Sequence, residues 1–439
     1  MPYDDLPELV GLDATPGIRI PPDVTVPLSR RVRALIDTAP LRRLGKVSQL
    51  GLVALVYPGA VHSRLEHSLG VYRLALEFLA RLRHEPAFRA AIGTDDAAAF
   101  IVAALVHDIG HWPYCHPLED MGLAALPRHE DLAAARLATD GPATVLREQW
   151  GLEPDRVASL VAGSANDPAG RMLETLLSGP IDIDKMDYLS RDSLHAGVPY
   201  GRHFDQPRLL ASLCLDDTGR LAITDKGRTA AEMLVFARYV MFSEVYWHHA
   251  VRAATAMLQR AVWIVRDRID VPAITAADDA AFVARLTDHA HGTAAESLVA
   301  GLFGPLRTLH KRVAVFDALE SPAIHRALAG RSYEALVTTS ARLARSLERT
   351  LGTPVGPHDL LVDAAPVYRE VQFDLAVRVD AAPPRYRMLS DQSPLVRALA
   401  REQFDSLVKR VRVFAVGSLA ERLRARTDLG ERLLDAAAD

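Results

Sequence analysis

The chain has 439 residues and a mass of 47.9 kDa, with 49% hydrophobic and 24% charged residues, the balance of a soluble globular protein whose core needs no disulfide or structural zinc. A formal net charge of -4 and a pI near 6.5 exclude a general attraction to nucleic acid or anionic lipid, so any polyanion site has to be local. Two cysteines, Cys115 and Cys214, and an acidic, proline-broken start without the basic-then-apolar order of a secretory signal point to a reducing, cytoplasmic location.

From residue 28 to about 268, apolar residues recur at three- and four-residue intervals with few β-branched runs, as amphipathic helices require. Leu65, Leu69, Tyr72, Leu76 and Leu79 illustrate the pattern. The apolar run 97–106 is about half of the roughly twenty residues a membrane span needs. It predicts a buried helix instead, capped by Thr94 or Asp95, stopped near Gly110, and presenting His107 and Asp108 at its end. Leu213–Leu215 and 221–223 alternate around Asp216-Asp217-Thr218-Gly219, which predicts a small hairpin between helices. Later, 372–379 predicts a half-buried strand with Phe373, Leu375, Val377 and Val379 inward, with 411–416 as its partner and an amphipathic helix over 394–409 between them. The stretch 418–438 predicts an arginine-rich helix that is a solvated face or a subunit contact. The expected fold is mainly α: a helical core with an inserted β-hairpin and a C-terminal α+β region. It divides into an N-terminal extension (1–29), a helical domain (30–268) and a C-terminal region (269–439).

Of the 16 histidines, His62, His67, His107, His111, His116 and His129 fall in short blocks. A lone histidine is more often a hydrogen-bonded structural residue than a ligand, so the neighbours decide. In Val106-His107-Asp108-Ile109-Gly110-His111 an imidazole and a carboxylate stand side by side where an apolar helix ends. An unpaired buried Asp is costly, and a cation removes that cost. Arg64 and His67, three apart, share one helical face, which suits a ligand with an anion-binding partner. Asp184, Tyr188 and Asp192 align two carboxylates and a phenol; taken alone, that segment reads as a solvated helix with Asp187 paired to Arg191.

The ordered set His67, His107-Asp108 and Asp184 resembles the HD superfamily of metal-dependent phosphohydrolases. The blocks Arg43-Leu44, Gln49-Leu50-Gly51, Tyr57-Pro58-Gly59-Ala60, Arg64-Leu65-Glu66-His67-Ser68-Leu69-Gly70, the run from His107 to His116, His129-Glu130 and Asp184-Lys185-Met186-Asp187-Tyr188 resemble more closely its dNTP triphosphohydrolase branch, over about residues 30–255. The resemblance implies that His67, His107, Asp108 and Asp184 hold one divalent metal ion, Mn, Mg, Fe, Co or Ni. It implies that His111, His116 and His129 line the phosphates, with His116 the general acid, and that Arg64, Lys185 and Arg238 clamp the triphosphate. Sugar selection would fall to Gln49, Leu50, Tyr188, Asp192 and Tyr246, with Gln49 and Asp192 bonding a 3′-hydroxyl and Leu50 and Tyr246 crowding a 2′-hydroxyl. Deoxynucleoside triphosphates are the implied substrates, and a homo-oligomer the implied assembly. Phe242 replaces a histidine of the vertebrate enzymes and Gly45 an arginine of their activator site, so activation by GTP is not expected. The competing readings are another HD phosphohydrolase, acting on nucleoside monophosphates or alarmones, and a catalytically silent nucleotide sensor.

Overall fold

The computed structural model describes residues 3, 5–10, 12, 17–364, 374–381, 383–399 and 408–438. Helices dominate and the sheets are small, as predicted. The chain divides into two compact units. The first takes 1–112, 127–241 and 372–400; the second takes 113–126, 242–371 and 401–439.

In the first unit the Arg64–Leu82 helix starts at Ser63, whose Oγ accepts the Glu66 N–H at 3.3 Å and satisfies one of the donors every helix start leaves open. Leu69, Tyr72, Leu76 and Leu79 are buried, as their spacing predicts. This helix packs against Thr94–Val106 and Ile183–His195. Thr94–Val106 is buried at every residue from Ala97 onward, the mark of a helix enclosed on all sides. Its cap differs from the prediction: Gly93 is the N-cap, and Asp96 Oδ2 accepts the Gly93 N–H at 3.2 Å. It also ends before Gly110, at Val106. Gly110 instead permits a close approach, since a Cβ there would lie 2.0 Å from the His129 carbonyl oxygen.

The predicted hairpin forms from Leu213–Leu215 and Leu221–Thr224. It gains Ala376–Ala381, parallel to Leu221–Thr224 and antiparallel to Pro384–Met388. The expected pairing of 372–379 with 411–416 is therefore wrong. Val411–Ala415 is the middle strand of a separate sheet in the second unit, antiparallel to Lys311–Phe316 and to Leu360–Asp363. Alternation tells which face of a strand is buried and carries no information about its partner. Phe373 lies outside the described residues; of the 394–409 helix, Pro394–Ala398 is described as helix and 400–407 are not described.

The predicted helix over 418–438 is two helices, Gly417–Arg424 and Leu429–Ala437. Its apolar stripe faces inward: Leu419, Leu423, Leu429 and Leu433 join Leu336, Leu343 and Leu347 in the core of the second unit. Asp428, between the two helices, accepts from both Arg426 and Arg432. Those arginines thus serve the chain's own turn.

Gly70 provides a test of the helix packing. A Cβ there would sit 1.8 Å from Asp187 Oδ1 and 2.4 Å from Arg191 Nη2. Gly→Ala inside a helix ordinarily gains about 0.5–1 kcal/mol, but here it displaces a buried ion pair, and overlap of that kind outweighs the propensity. Gly70→Ala should lose about 2–4 kcal/mol, read as a lower denaturation midpoint. A midpoint at or above the parent value would mean that these two helices do not approach so closely.

Candidate metal centre

Three helices of the first unit supply the candidate ligands. His67 sits in the first turn of Arg64–Leu82, His107 is the C-cap of Thr94–Val106, and Asp184 opens Ile183–His195, which Asp182 caps by accepting the Lys185 N–H. His67 Nε2 lies 3.1 Å from His107 Nε2 and 3.0 Å from Asp184 Oδ1, and His107 Nε2 lies 3.7 Å from that same oxygen. The other ring nitrogens are committed. His67 Nδ1 donates to Asp187 Oδ2 at 2.8 Å and His107 Nδ1 donates to the Ala104 carbonyl at 2.9 Å.

Carboxylate and carbonyl oxygens only accept, so these bonds place the proton of each neutral ring on Nδ1 and leave both Nε2 lone pairs facing Asp184. Two lone pairs and a carboxylate that converge repel one another until a cation stands between them. The donor set therefore fits a divalent metal, with its imidazoles already oriented from behind. The same field acts on protons: burial works against the charged His67 ring, but hydrogen bonds to Asp184 and Asp187 and the charges of Asp187 and Asp108 outweigh it and push the pKa up to about 10. Asp184 keeps 34% of its side chain exposed, which opens the centre to solvent.

Asp108 stands beside these three groups. Its Oδ1 is 3.4 Å from His107 Nε2 and 3.1 Å from His111 Nδ1, while Oδ2 accepts from Arg64 Nη1 at 2.9 Å. Burial opposes its charge, but His111, His107, Arg64 and His67 together hold the carboxyl well below its usual range. Arg64, expected on a triphosphate, donates to Asp108 through Nη1. Lys185, expected in the same role, binds Asp182 Oδ2 and the Gly179 carbonyl. Buried carboxylates demand such counter-charges. His111 packs on His129 with ring centroids 3.9 Å apart.

The sugar-selecting candidates have their own arrangement. Asp192 is buried and His62 Nε2 lies 2.9 Å from its Oδ1. Gln49 donates its backbone N–H to the His62 carbonyl at 2.9 Å, and its buried Oε1 has no hydrogen bond among the described residues. Leu50 is the N-cap of the turn Gly51–Leu55. Burial pushes the Tyr188 phenol up, and the charge of Arg238 works against that rise. His116 and Tyr246 belong to the second unit. His116 is exposed beside Glu119, and Tyr246 meets Phe242 edge to face at 5.1 Å within a π-helical turn. A cavity of about 260 Å³ in that unit, lined by His249, His310, Arg307, Lys311, Arg312 and Arg424, includes none of the candidate residues.

The sequence missed what holds His67. Asp187 does pair with Arg191, through two contacts of 2.8 Å, but the pair is buried and Asp187 also accepts from His67. Burial opposes the Asp187 charge; Arg191, with the bonds from Arg191 and His67, lowers its pKa to about 2. Arg191 continues to Glu66 at 2.8 Å, and Glu66 to His195 Nε2 at 2.8 Å. The carboxylate three residues after Asp184, with an arginine four further on, was the available signal.

Losing a carboxylate that orients a metal-binding histidine costs 10–100-fold in metal affinity, to order of magnitude. Asp187→Asn should therefore weaken Mn binding by about that factor, whereas Asp184→Ala, which removes a ligand, should abolish stoichiometric uptake. Calorimetric titration decides both; parent affinity in Asp187→Asn would separate Asp187 from the metal site.

The HD domain family matches residues 64–192, and the HD associated region matches residues 204–429, more than half of the chain. An uncharacterized Bacillus subtilis protein, YwfO, is 34% identical over 229 residues, 52% of this chain and 50% of its own. The Homo sapiens deoxynucleoside triphosphate triphosphohydrolase SAMHD1 is 28% identical over 294 residues, 58% of this chain and 46% of its own. The chain spans about half the length of the curated relatives it matches. In fold, a crystal structure of a hypothetical protein from Aquifex aeolicus is similar with a TM-score of 0.69 at 24% identity, covering 91% of this chain and 96% of that one. No described helix is long and apolar enough to cross a membrane. The HD match runs from Arg64 to Asp192 and so includes His67, His107 and Asp184, and with the associated region behind it the chain belongs to the HD-domain family.

Proposed function

We propose that this chain is a metal-dependent phosphohydrolase that cleaves deoxynucleoside triphosphates to deoxynucleoside and inorganic triphosphate. The observation that carries the reading is the convergence of the His67 and His107 Nε2 lone pairs on Asp184, in a chain related to an enzyme of that name. A divalent ion held by these residues, with Asp108 alongside, would lower the pKa of a water and offset charge on the phosphorus under attack.

The chain's own residues do the rest. Asp187 keeps the His67 proton on Nδ1 and the ring in place. Arg64 holds Asp108 in its charged form. The adjacent rings of His111 and His129, tilted 38° to one another, offer ring N–H groups to phosphate oxygens. The buried Gln49 Oε1, an acceptor without a hydrogen bond among the described residues, suits a donor brought by the substrate, because leaving such an acceptor unpaired costs about 1–3 kcal/mol. A sugar hydroxyl is such a donor. The part of proton donor to the leaving 5′ oxygen, given to His116, rests on the sequence resemblance alone. A second reading, a nucleotidase acting on monophosphates, draws support from Arg64 and Lys185, which are bound to Asp108 and Asp182.

Product analysis with added Mn over a panel of dNTPs, NTPs and monophosphates separates the two. Inorganic triphosphate should appear, from dNTPs first, and Asp184→Ala should not release it. Orthophosphate from monophosphates would favour the nucleotidase. Crowding of a 2′-hydroxyl discriminates by about 10–200-fold per contact, so kcat/KM for dGTP should exceed that for GTP by at least that order. Equal values would remove the deoxynucleotide assignment and leave the phosphohydrolase.

A further inference from the structure

We propose that His62 is a positioning residue for sugar recognition, setting Asp192 with its ring and Gln49 with its carbonyl. The inference rests on the deoxynucleotide reading above and gives a part in it to a residue outside the metal and phosphate blocks.

Two segments of the first unit are cross-linked at this point. Ser48 and Ser63 form an antiparallel bridge, the Gln49 N–H donates to the His62 carbonyl at 2.9 Å, and the Arg64 N–H donates to the Val47 carbonyl at 2.9 Å. The backbone of Gln49 is thereby fixed to the start of the helix that carries His67. The His62 ring is fully buried and its Nε2 lies 2.9 Å from Asp192 Oδ1. A carboxylate only accepts, so the proton of the ring sits on Nε2 and the bond orients the Asp192 carboxylate. His62 also stacks on His195, with ring centroids 4.3 Å apart and planes 14° from parallel. His195 is held by Glu66, and Glu66 by Arg191.

Packing alone does not explain an imidazole here. His62 Nδ1 is buried without a hydrogen bond among the described residues, and a buried polar atom left so lowers stability. An apolar side chain of similar size would fill the same space without that penalty. What it lacks is the donor to Asp192. The same backbone pairing carries a second unsatisfied acceptor, Gln49 Oε1, so one residue sets both polar groups assigned to the 3′-hydroxyl.

The test compares a dNTP with its 2′,3′-dideoxy counterpart in the parent, in His62→Phe, which keeps the ring stack and removes the donor, and in His62→Gln, whose amide keeps a donor. Mn content is measured for each protein. The parent should prefer the dNTP in kcat/KM by at least about 10-fold, since a site built to bond a hydroxyl rejects an analogue lacking it. His62→Phe should bring that ratio to within about 3-fold of unity, mainly through a higher KM for the dNTP with Mn content unchanged, and His62→Gln should restore most of it. Should His62→Phe fail to fold, His62→Met serves as the donor-free variant. A structural role would slow both substrates alike and leave the ratio where it was. A parent ratio near unity overturns the proposal together with the sugar reading beneath it; a high parent ratio that survives in the donor-free variant overturns the proposal alone.

Discussion

The first unit is organised around an electrostatic conflict: two imidazole lone pairs and a carboxylate converge to within 3.7 Å of one another at the ends of three helices. That arrangement persists only if something holds each ring from behind. A carboxylate does so for His67 and a helix carbonyl for His107. In both rings the proton of the neutral form is kept on the far nitrogen, so the near one keeps its lone pair. Much else in the unit serves this constraint, including the enclosed helix that ends at His107 and the absence of a side chain at Gly70, where Asp187 and Arg191 press in.

Buried charge explains the second layer. Asp187 cannot stay ionised in the interior without Arg191, and Arg191 needs Glu66 as well as Asp187 to satisfy its guanidinium. Glu66 in turn receives His195, which stacks on His62, which meets Asp192. Each member of this chain is a group whose burial would be expensive alone and is tolerable with its neighbour. The network reaches from a metal-ligand candidate to a sugar-contact candidate by way of five hydrogen-bonded pairs and one ring stack.

Membership in the HD-domain family gives this geometry its chemical meaning, and the associated region accounts for much of the remainder of the chain. The second unit has its own core, built from the Tyr333–Leu351 helix, the sheet centred on Val411–Ala415 and the two C-terminal helices. Its aliphatic stripe from Leu419 to Leu433 leaves the arginines of that segment outside, where Asp428 collects two of them.

The sequence by itself determined the helical core, the hairpin at 213–224 and the prominence of His107 and Asp108, and the family resemblance it carries added His67 and Asp184. Periodicity reports burial, and a histidine next to an aspartate at the end of an apolar run reports a chemical demand; both are local. Tertiary structure decided the rest. Only distances across the fold reveal that Asp187 faces His67 as well as Arg191, that Arg64 and Lys185 pair with Asp108 and Asp182, and that His62 joins Gln49 to Asp192. Only strand pairing across more than 150 residues sends 376–381 to the hairpin and leaves 411–415 to another sheet. A side chain's type is written in the sequence, but which of several equally suitable charges or strands becomes its partner depends on the packing of segments remote along the chain.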